Sequence, residues 1–249
     1  MDLLSPPNGP LSAHRDEEIV RTNTYFGNPD FIFHTPMPLL PRVSVLMPAY
    51  NRLHVLPRAI ASVVAQSNPD WELVIVDDGS SDGSVKLLRE YARADPRIRF
   101  ARQPRGGPAA ARNRAFALAA GEYLACLDSD DEYLPTHLAD RIAVLDAYPD
   151  IDFLHGGVLV VGNADDCYVP DARDTSARIH LDDCVVGGTF FSRRGPIELA
   201  EGWQAGYAED FQLFERIRNR VSMSRVDFRT YVYHRESADS RCGHPGSIA

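Results

Sequence analysis

Ala125-Cys126-Leu127-Asp128-Ser129-Asp130-Asp131-Glu132-Tyr133-Leu134 is the stretch whose reading decides the fold. An apolar run from Tyr123 to Leu127 stops at Asp128, Ser129, Asp130 and Asp131. Carboxylates this close repel one another unless water or a cation neutralises them. At the end of a strand they would converge where open α/β sheets hold their ligands. Hard oxygen donors suit Mg²⁺ or Mn²⁺ rather than zinc, and a metal held by one or two carboxylates takes its other ligands from water and substrate phosphates. The cluster therefore points to a metal-bridged phosphate ester or diphosphate. Alone, an Asp-x-Asp is more often an ordinary solvated loop, so the surrounding chain has to decide.

Working outward toward the N-terminus, the pattern is an alternation. Val43 to Met47 reads as a buried strand stopped by Pro48, and Ala49 to Arg52 as a turn. Leu56, Ile60, Val63 and Val64 recur at helical spacing within a helix from about 55 to 66. Trp71 to Val76 is a second strand, running into the polar loop Asp77 to Gly83. A helix over Val85 to Ala94, a short strand at Ile98 to Phe100 and an Ala-rich helix over Ala109 to Ala120 follow, with Gly121 as its C-cap. Strand–helix alternation with near-continuous apolar strands predicts a mostly parallel sheet covered by helices on both faces. In such a sheet the loops 48–52, 77–83 and 128–131 share one rim.

Toward the C-terminus the pattern is less regular. Pro135 to Tyr148 reads as a helix, and Ile151 to Val161 as strand, with Gly156 and Gly157 suggesting a hairpin. The Asp-rich stretch 163–183 has no assignment. Val185 to Ser192 reads as strand, with Gly187 and Gly188 giving a substrate room to approach the backbone. Gly195 to Gly206 reads as a loop carrying Trp203, and a helix starts at Ala208. Val226, Phe228, Thr230 and Val232 alternate with polar neighbours, an antiparallel or edge strand that ends in His234.

Composition bounds the function. The chain has 249 residues, enough for one sizeable core and at most two domains, and 24% of them are charged. A net charge of −9 without a dense basic run argues against nucleic-acid binding. No apolar run approaches membrane-span length, and Met1 to Ser12 has neither the basic start nor the apolar stretch of a secretory signal. Cys126, Cys167, Cys184 and Cys242 are widely spaced and read as reduced thiols, which suits the cytoplasm. Peripheral contact with the inner face of a membrane stays open. Residues 1–41 form a proline-rich arm with an apolar patch at Asp30 to His34, as suited to a homodimer contact as to an irregular extension.

Val43 to Asn51, Leu73 to Asp82, Ala111-Arg112-Asn113, Gly121-Glu122-Tyr123 and Leu127 to Asp131 together resemble, in order and spacing, the family 2 glycosyltransferases of the GT-A fold. The resemblance is strong over about residues 42–135 and weaker through Gly202-Trp203 and Ala208 to Asp210 to His234. It implies an α/β, Rossmann-like, mostly parallel sheet with helices on both faces and a smaller antiparallel acceptor-side sheet. It also implies a nucleotide-sugar half over 42–135 and an acceptor half over 136–249. The reaction implied is an inverting, metal-assisted transfer of one sugar from a nucleotide-sugar to an acceptor hydroxyl.

By the same resemblance Pro48, Ala49, Tyr50, Asn51 and Arg52 line the nucleoside pocket. Asp78 contacts the base, where a carboxylate can accept the N3–H of uracil, so a UDP-sugar is favoured. Arg112 lies near the donor, or else on a solvent-facing helix surface. Asp128 and Ser129 sit with the nucleotide-sugar, and Asp130 touches Mn²⁺ or Mg²⁺, with His234 as a further metal ligand or a diphosphate contact, although a lone histidine after a strand is more often structural. Asp210 is the general base, preferred over its neighbour Glu209, because displacement at an anomeric carbon needs a base opposite the leaving diphosphate. Capping of the helix is the ordinary alternative for either residue. Trp203 and Glu209 are acceptor-side candidates, Trp203 as a sugar platform or as core. The Gln-x-x-Arg-Trp motif of processive members is lacking, which favours a single transfer.

Two other classes compete. A non-catalytic nucleotide-sugar sensor on the same fold would not need Asp210. A nucleotidyltransferase would want a glycine-rich phosphate loop after the first strand, where this chain has Pro48 to Arg52. The sugar and the acceptor, whether glycan, lipid-linked sugar, protein or small molecule, are not legible.

Overall fold

The computed structural model describes residues 40–235. The N-terminal arm before Leu40, with its expected dimer contact, and Cys242 lie outside the described residues. The described chain runs β1 (Val43–Ala49), α1 (Leu56–Val64), β2 (Trp71–Asp77), α2 (Ser84–Ala94), β3 (Ile98–Arg102), α3 (Pro108–Leu118) and β4 (Tyr123–Cys126). It continues through β5 (Glu132–Tyr133), α4 (His137–Ala147), β6 (Phe153–His155), β7 (Val158–Val161), β8 (Tyr168–Pro170) and β9 (Arg178–His180). The last elements are β10 (Phe191–Arg193), α5 (Arg194–Leu199), α6 (Glu209–Ile217), β11 (Met223–Arg225) and β12 (Tyr231–His234).

A seven-stranded sheet in the order β11-β6-β10-β4-β1-β2-β3 is the frame. The pairs β1–β2, β1–β4 and β2–β3 are parallel, and β10 runs antiparallel to both β4 and β6. Alternate residues of a strand face opposite sides, and here both sides are dry. Val43, Val45 and Met47 join Ile60, Leu88, Leu138 and Ile142 in one core, so α1, α2 and α4 cover that face. Leu46, Val74 and Leu124 join Ala111, Ala115, Ile197, Leu213 and Trp203 in the other, under α3, α5 and α6.

Several sequence expectations are corrected. Helix α3 ends at Leu118 with Ala119 extended, so Gly121 is not its cap. Gly121 instead crosses β1, its N–H donating to Ser44 Oγ at 2.8 Å. The two strands around Gly156-Gly157 do not make a hairpin, since β6 joins the large sheet and β7 the three-stranded sheet β5-β12-β7. Strand β12 is the central strand of that sheet, antiparallel to β5 and parallel to β7, and Val226 to Thr230 are not part of it. Residues 163–183 contain the antiparallel pair β8–β9, and 195–199 fall within the short helix α5. Only Phe191–Arg193 of the expected strand at 185–192 is extended, because Gly187–Thr189 turn as a 3₁₀ segment.

Candidate active site

The parallel register places Ala49 beside Asp77 and Leu46 beside Cys126, so the loops after β1, β2 and β4 emerge on one rim. The first two are laced together. Asn51 takes a left-handed backbone (φ 52°), donates its N–H to Ser80 Oγ at 2.9 Å and accepts from Ser81 N–H at 2.9 Å. Tyr50 carries the Arg105 guanidinium over its ring at 3.7 Å. Asp78 is buried and hooks the loop before α3. Its Oδ1 accepts from Gln103 Nε2 and Gly106 N–H, and its Oδ2 from Gly107 N–H, each at 2.8 Å. A carboxylate offers about four acceptor positions, so one remains on Oδ2. Asp77 is buried beneath, with Oδ2 accepting from Ser80 N–H and facing Arg102 Nε at 3.3 Å.

The acidic cluster divides into three different environments. Asp128 is the most open, its side chain 31% exposed, with Oδ1 2.5 Å from Arg112 Nη2. Asp130 faces Arg52 Nη2 at 3.6 Å, and its carbonyl accepts from Arg58. Ser129 is buried between them. Asp131 is fully buried, accepting from Tyr231 hydroxyl at 2.5 Å and His234 N–H at 2.8 Å. Burial, then the Asp128 and Asp130 charges, push its pKa well up. Asp131 therefore ties β12 to the cluster and is sealed from the rim. The His234 ring places Nε2 2.7 Å from Glu132 Oε1. Among the described residues no three His, Cys, Asp or Glu side chains gather closely enough to hold a metal ion, so Asp130 and His234 are not joined in a ready-made cage.

Arg112 is not solvent-facing. It is 4% exposed and reaches three carboxylates from α3: Asp128, Glu209 Oε1 at 2.8 Å, and Asp210 Oδ1 at 3.7 Å. Burial lowers its pKa, but Asp210, Asp128 and Glu209 outweigh that and hold it well above the usual value. Glu209 and Asp210 open α6 after Ala208, whose backbone is left-handed (φ 52°), and neither side chain caps the helix. Asp210 is recessed but not sealed, its side chain 20% exposed. Desolvation raises its pKa to about 6; Arg112 opposes this, Glu209 and Asp128 add to it, and a hydrogen bond from Trp203 opposes it. The helix N-terminus favours an anion here, and burial wins.

Two expectations are corrected at this point. Trp203 is 2% exposed, packed into the second core, so its ring is no sugar platform. Its indole Nε1–H donates to Asp210 Oδ1 at 2.8 Å. The space beside Gly187 and Gly188 is not open to a substrate. A Cβ on Gly187 would lie 2.0 Å from Asp210 Cγ, and one on Gly188 2.0 Å from the Tyr231 hydroxyl. Asn113 is a residue that sequence reasoning quoted without a role. Its amide donates to Trp203 C=O at 2.7 Å and accepts from Trp203 N–H at 2.8 Å. Its place next to Arg112 was the only hint.

The sequence profile described as Glycosyl transferase family 2 matches residues 44–165. A 122-residue stretch is 35% identical to the UDP-Glc:alpha-D-GlcNAc-diphosphoundecaprenol beta-1,3-glucosyltransferase WfgD of Escherichia coli, covering 49% of this chain and 47% of that protein. The chain spans less than half the length of this relative. Residues 1–349 of S. aureus TarS, solved with UDP-GlcNAc, superpose with a TM-score of 0.64 at 22% identity, over 80% of this chain and 60% of that one. The Pyrobaculum calidifontis mannosyltransferase PcManGT, solved with GDP-Man and Mn²⁺, gives 0.60 at 20% identity, over 78% and 57%. At such identities the superpositions speak for the fold. Rim, sequence profile and superposition agree: over residues 44–165 the chain belongs to glycosyl transferase family 2, on a GT-A fold.

Proposed function

We propose that the chain transfers a single sugar, with inversion, from a nucleoside-diphosphate sugar to an acceptor hydroxyl, with Asp210 as the general base. The observation that carries this is the pairing of a recessed carboxylate of pKa about 6 with a separate acidic rim on the same buried arginine. A base tuned toward the working pH is ionised at neutrality yet holds a proton well during attack. Glu209 is engaged by Arg112, while Asp210 Oδ2 accepts no hydrogen bond among the described residues, which favours Asp210 of the two.

The donor's nucleoside fits the loop pair around Tyr50, Asn51 and Asp78. The remaining acceptor position on Asp78 Oδ2 suits the N3–H of uracil; WfgD is named for a UDP-Glc donor, and TarS was solved with UDP-GlcNAc. Asp128 and Asp130 supply two hard carboxylates at the rim, a set that fits Mn²⁺ or Mg²⁺ taking its other ligands from diphosphate and water. With His234 Nε2 on Glu132, Nδ1 is the nitrogen left to face such a cation. When bound, the cation neutralises charge on the departing diphosphate. Arg52 and Arg112 orient the two carboxylates and limit their mutual repulsion. The acceptor hydroxyl enters on the side of Asp210, which removes its proton as the new bond forms.

Calorimetric titration of the full chain with UDP, GDP and TDP, with and without Mn²⁺, tests the donor site. Metal-dependent binding of UDP is the expected result. Preference for GDP would overturn the uridine assignment, and no binding of any nucleotide would overturn the donor site.

A further inference from the structure

The general base of such a reaction has to be aimed, and one hydrogen bond does the aiming here. Asp210 Oδ1 receives the Trp203 indole N–H at 2.8 Å, and Oδ2 accepts no hydrogen bond among the described residues. Behind the carboxylate lies the backbone of Gly187, with no room for a methyl group, so Asp210 cannot retreat. The indole is itself fixed at its backbone. The Asn113 amide grips Trp203 C=O and N–H together, at 2.7 and 2.8 Å. From the other side Arg216, on the same helix as Asp210, donates to Ala200 C=O at 3.2 Å and Gly202 C=O at 2.5 Å. Gly202 takes φ +72°, and a Cβ there would lie 2.3 Å from Asn113 Oδ1, so only glycine lets the loop close on this amide.

We infer that Trp203 is the positioning residue for Asp210, locked by Asn113. The inference rests on Asp210 being the base. It assigns Asn113 and Trp203, 90 residues apart, a shared task. It matches the general arrangement in which a third group orients the base. Phenylalanine in place of Trp203 would fill much of the same core volume and lose only the N–H. The charged and titratable groups facing Asp210 are Arg112, Glu209, Asp128 and Cys126, and none of them replaces that donor.

The test uses the full chain, by following indole N–H signals in ¹⁵N–¹H spectra between pH 5 and 8. There are two tryptophans, and Trp71 Nε1 has no hydrogen-bond partner, so it serves as the control. The Trp203 signal is expected to titrate with a midpoint near the Asp210 pKa of about 6 and to stop titrating in Asp210→Asn, while Trp71 stays still. An indole signal indifferent to both pH and Asp210→Asn would overturn the inference. In Trp203→Phe, removal of the N–H that favours the anion should move the acid limb of turnover up by about one pH unit. Turnover of UDP-GlcNAc, read as UDP release, should fall about 10- to 100-fold with KM little changed. Asn113→Ala, which leaves the core intact, should show the same split to a smaller degree. Unchanged kcat and pH profile in both variants would also overturn it. Full turnover in Asp210→Asn, by contrast, would remove the base assignment and leave the indole contact standing.

Discussion

Residues 43–133 and residues 153–234 build one rim by different means. In the first stretch β1 and β2 are seven residues long, and β1 to β3 each lead through a loop to a helix. Asp78 there is held by a nearby loop through Gly106 and Gly107, while the buried Asp131 is the exception that reaches Tyr231 and His234. In the second stretch the strands are three or four residues long and are shared among three sheets. The carboxylate that matters, Asp210, is placed by Gly187, Trp203 and a helix 97 residues earlier in sequence than its neighbour Glu209. The contrast separates a proposed donor frame fixed mostly by local pattern from a proposed base fixed by distant contacts.

Four experiments break or sharpen that contrast. Gly187→Ala should be the most damaging, because its methyl overlaps the Asp210 carboxylate; turnover is expected to fall by about 10²-fold or more while UDP binding, measured calorimetrically, persists. Asp78→Ala acts on the other side. It frees three N–H donors of the Gln103–Gly107 loop and should weaken UDP binding about tenfold or more, leaving whatever turnover remains with the wild-type pH profile. The pH profile itself should show an acid limb. As the proposed base Asp210 would act as the anion, so turnover is expected to fall as pH drops through about 6, by about tenfold per unit below it, and Asp210→Glu should shift that limb rather than abolish it. Arg173→Ala is expected to do least. The exposed Arg173 reaches from the loop between β8 and β9 to Phe211 and a half-buried Glu215, and its loss should change stability by about 0.5 kcal/mol or less in a denaturant melt.

The same contrast explains what the sequence revealed. The frame was readable because apolar periodicity, Pro48 and the acidic stop after Leu127 are local signals, and each of the first strands is nearly all buried. The motifs single out Asp78, Arg112, Asp128 and Asp210, and all four sit on the rim or behind it, with the roles proposed for them still to be tested. What failed needed partners far along the chain. Trp203 looks equally fit for a surface platform or a core until Asn113 and Asp210 are seen on either side of it. Gly187 and Gly188 suggest open backbone until a carboxylate and a tyrosine are found filling the space. Gly156-Gly157 looks like a hairpin turn because nothing local tells β6 and β7 that they join different sheets.

The most direct test measures two quantities on one preparation of Asp210→Asn: UDP affinity in the presence of Mn²⁺, and the rate of UDP release from UDP-GlcNAc or UDP-glucose. A base that is separate from the donor frame predicts wild-type affinity with the rate down by about 10²- to 10⁴-fold. A rate that stays at the wild-type level would contradict the account.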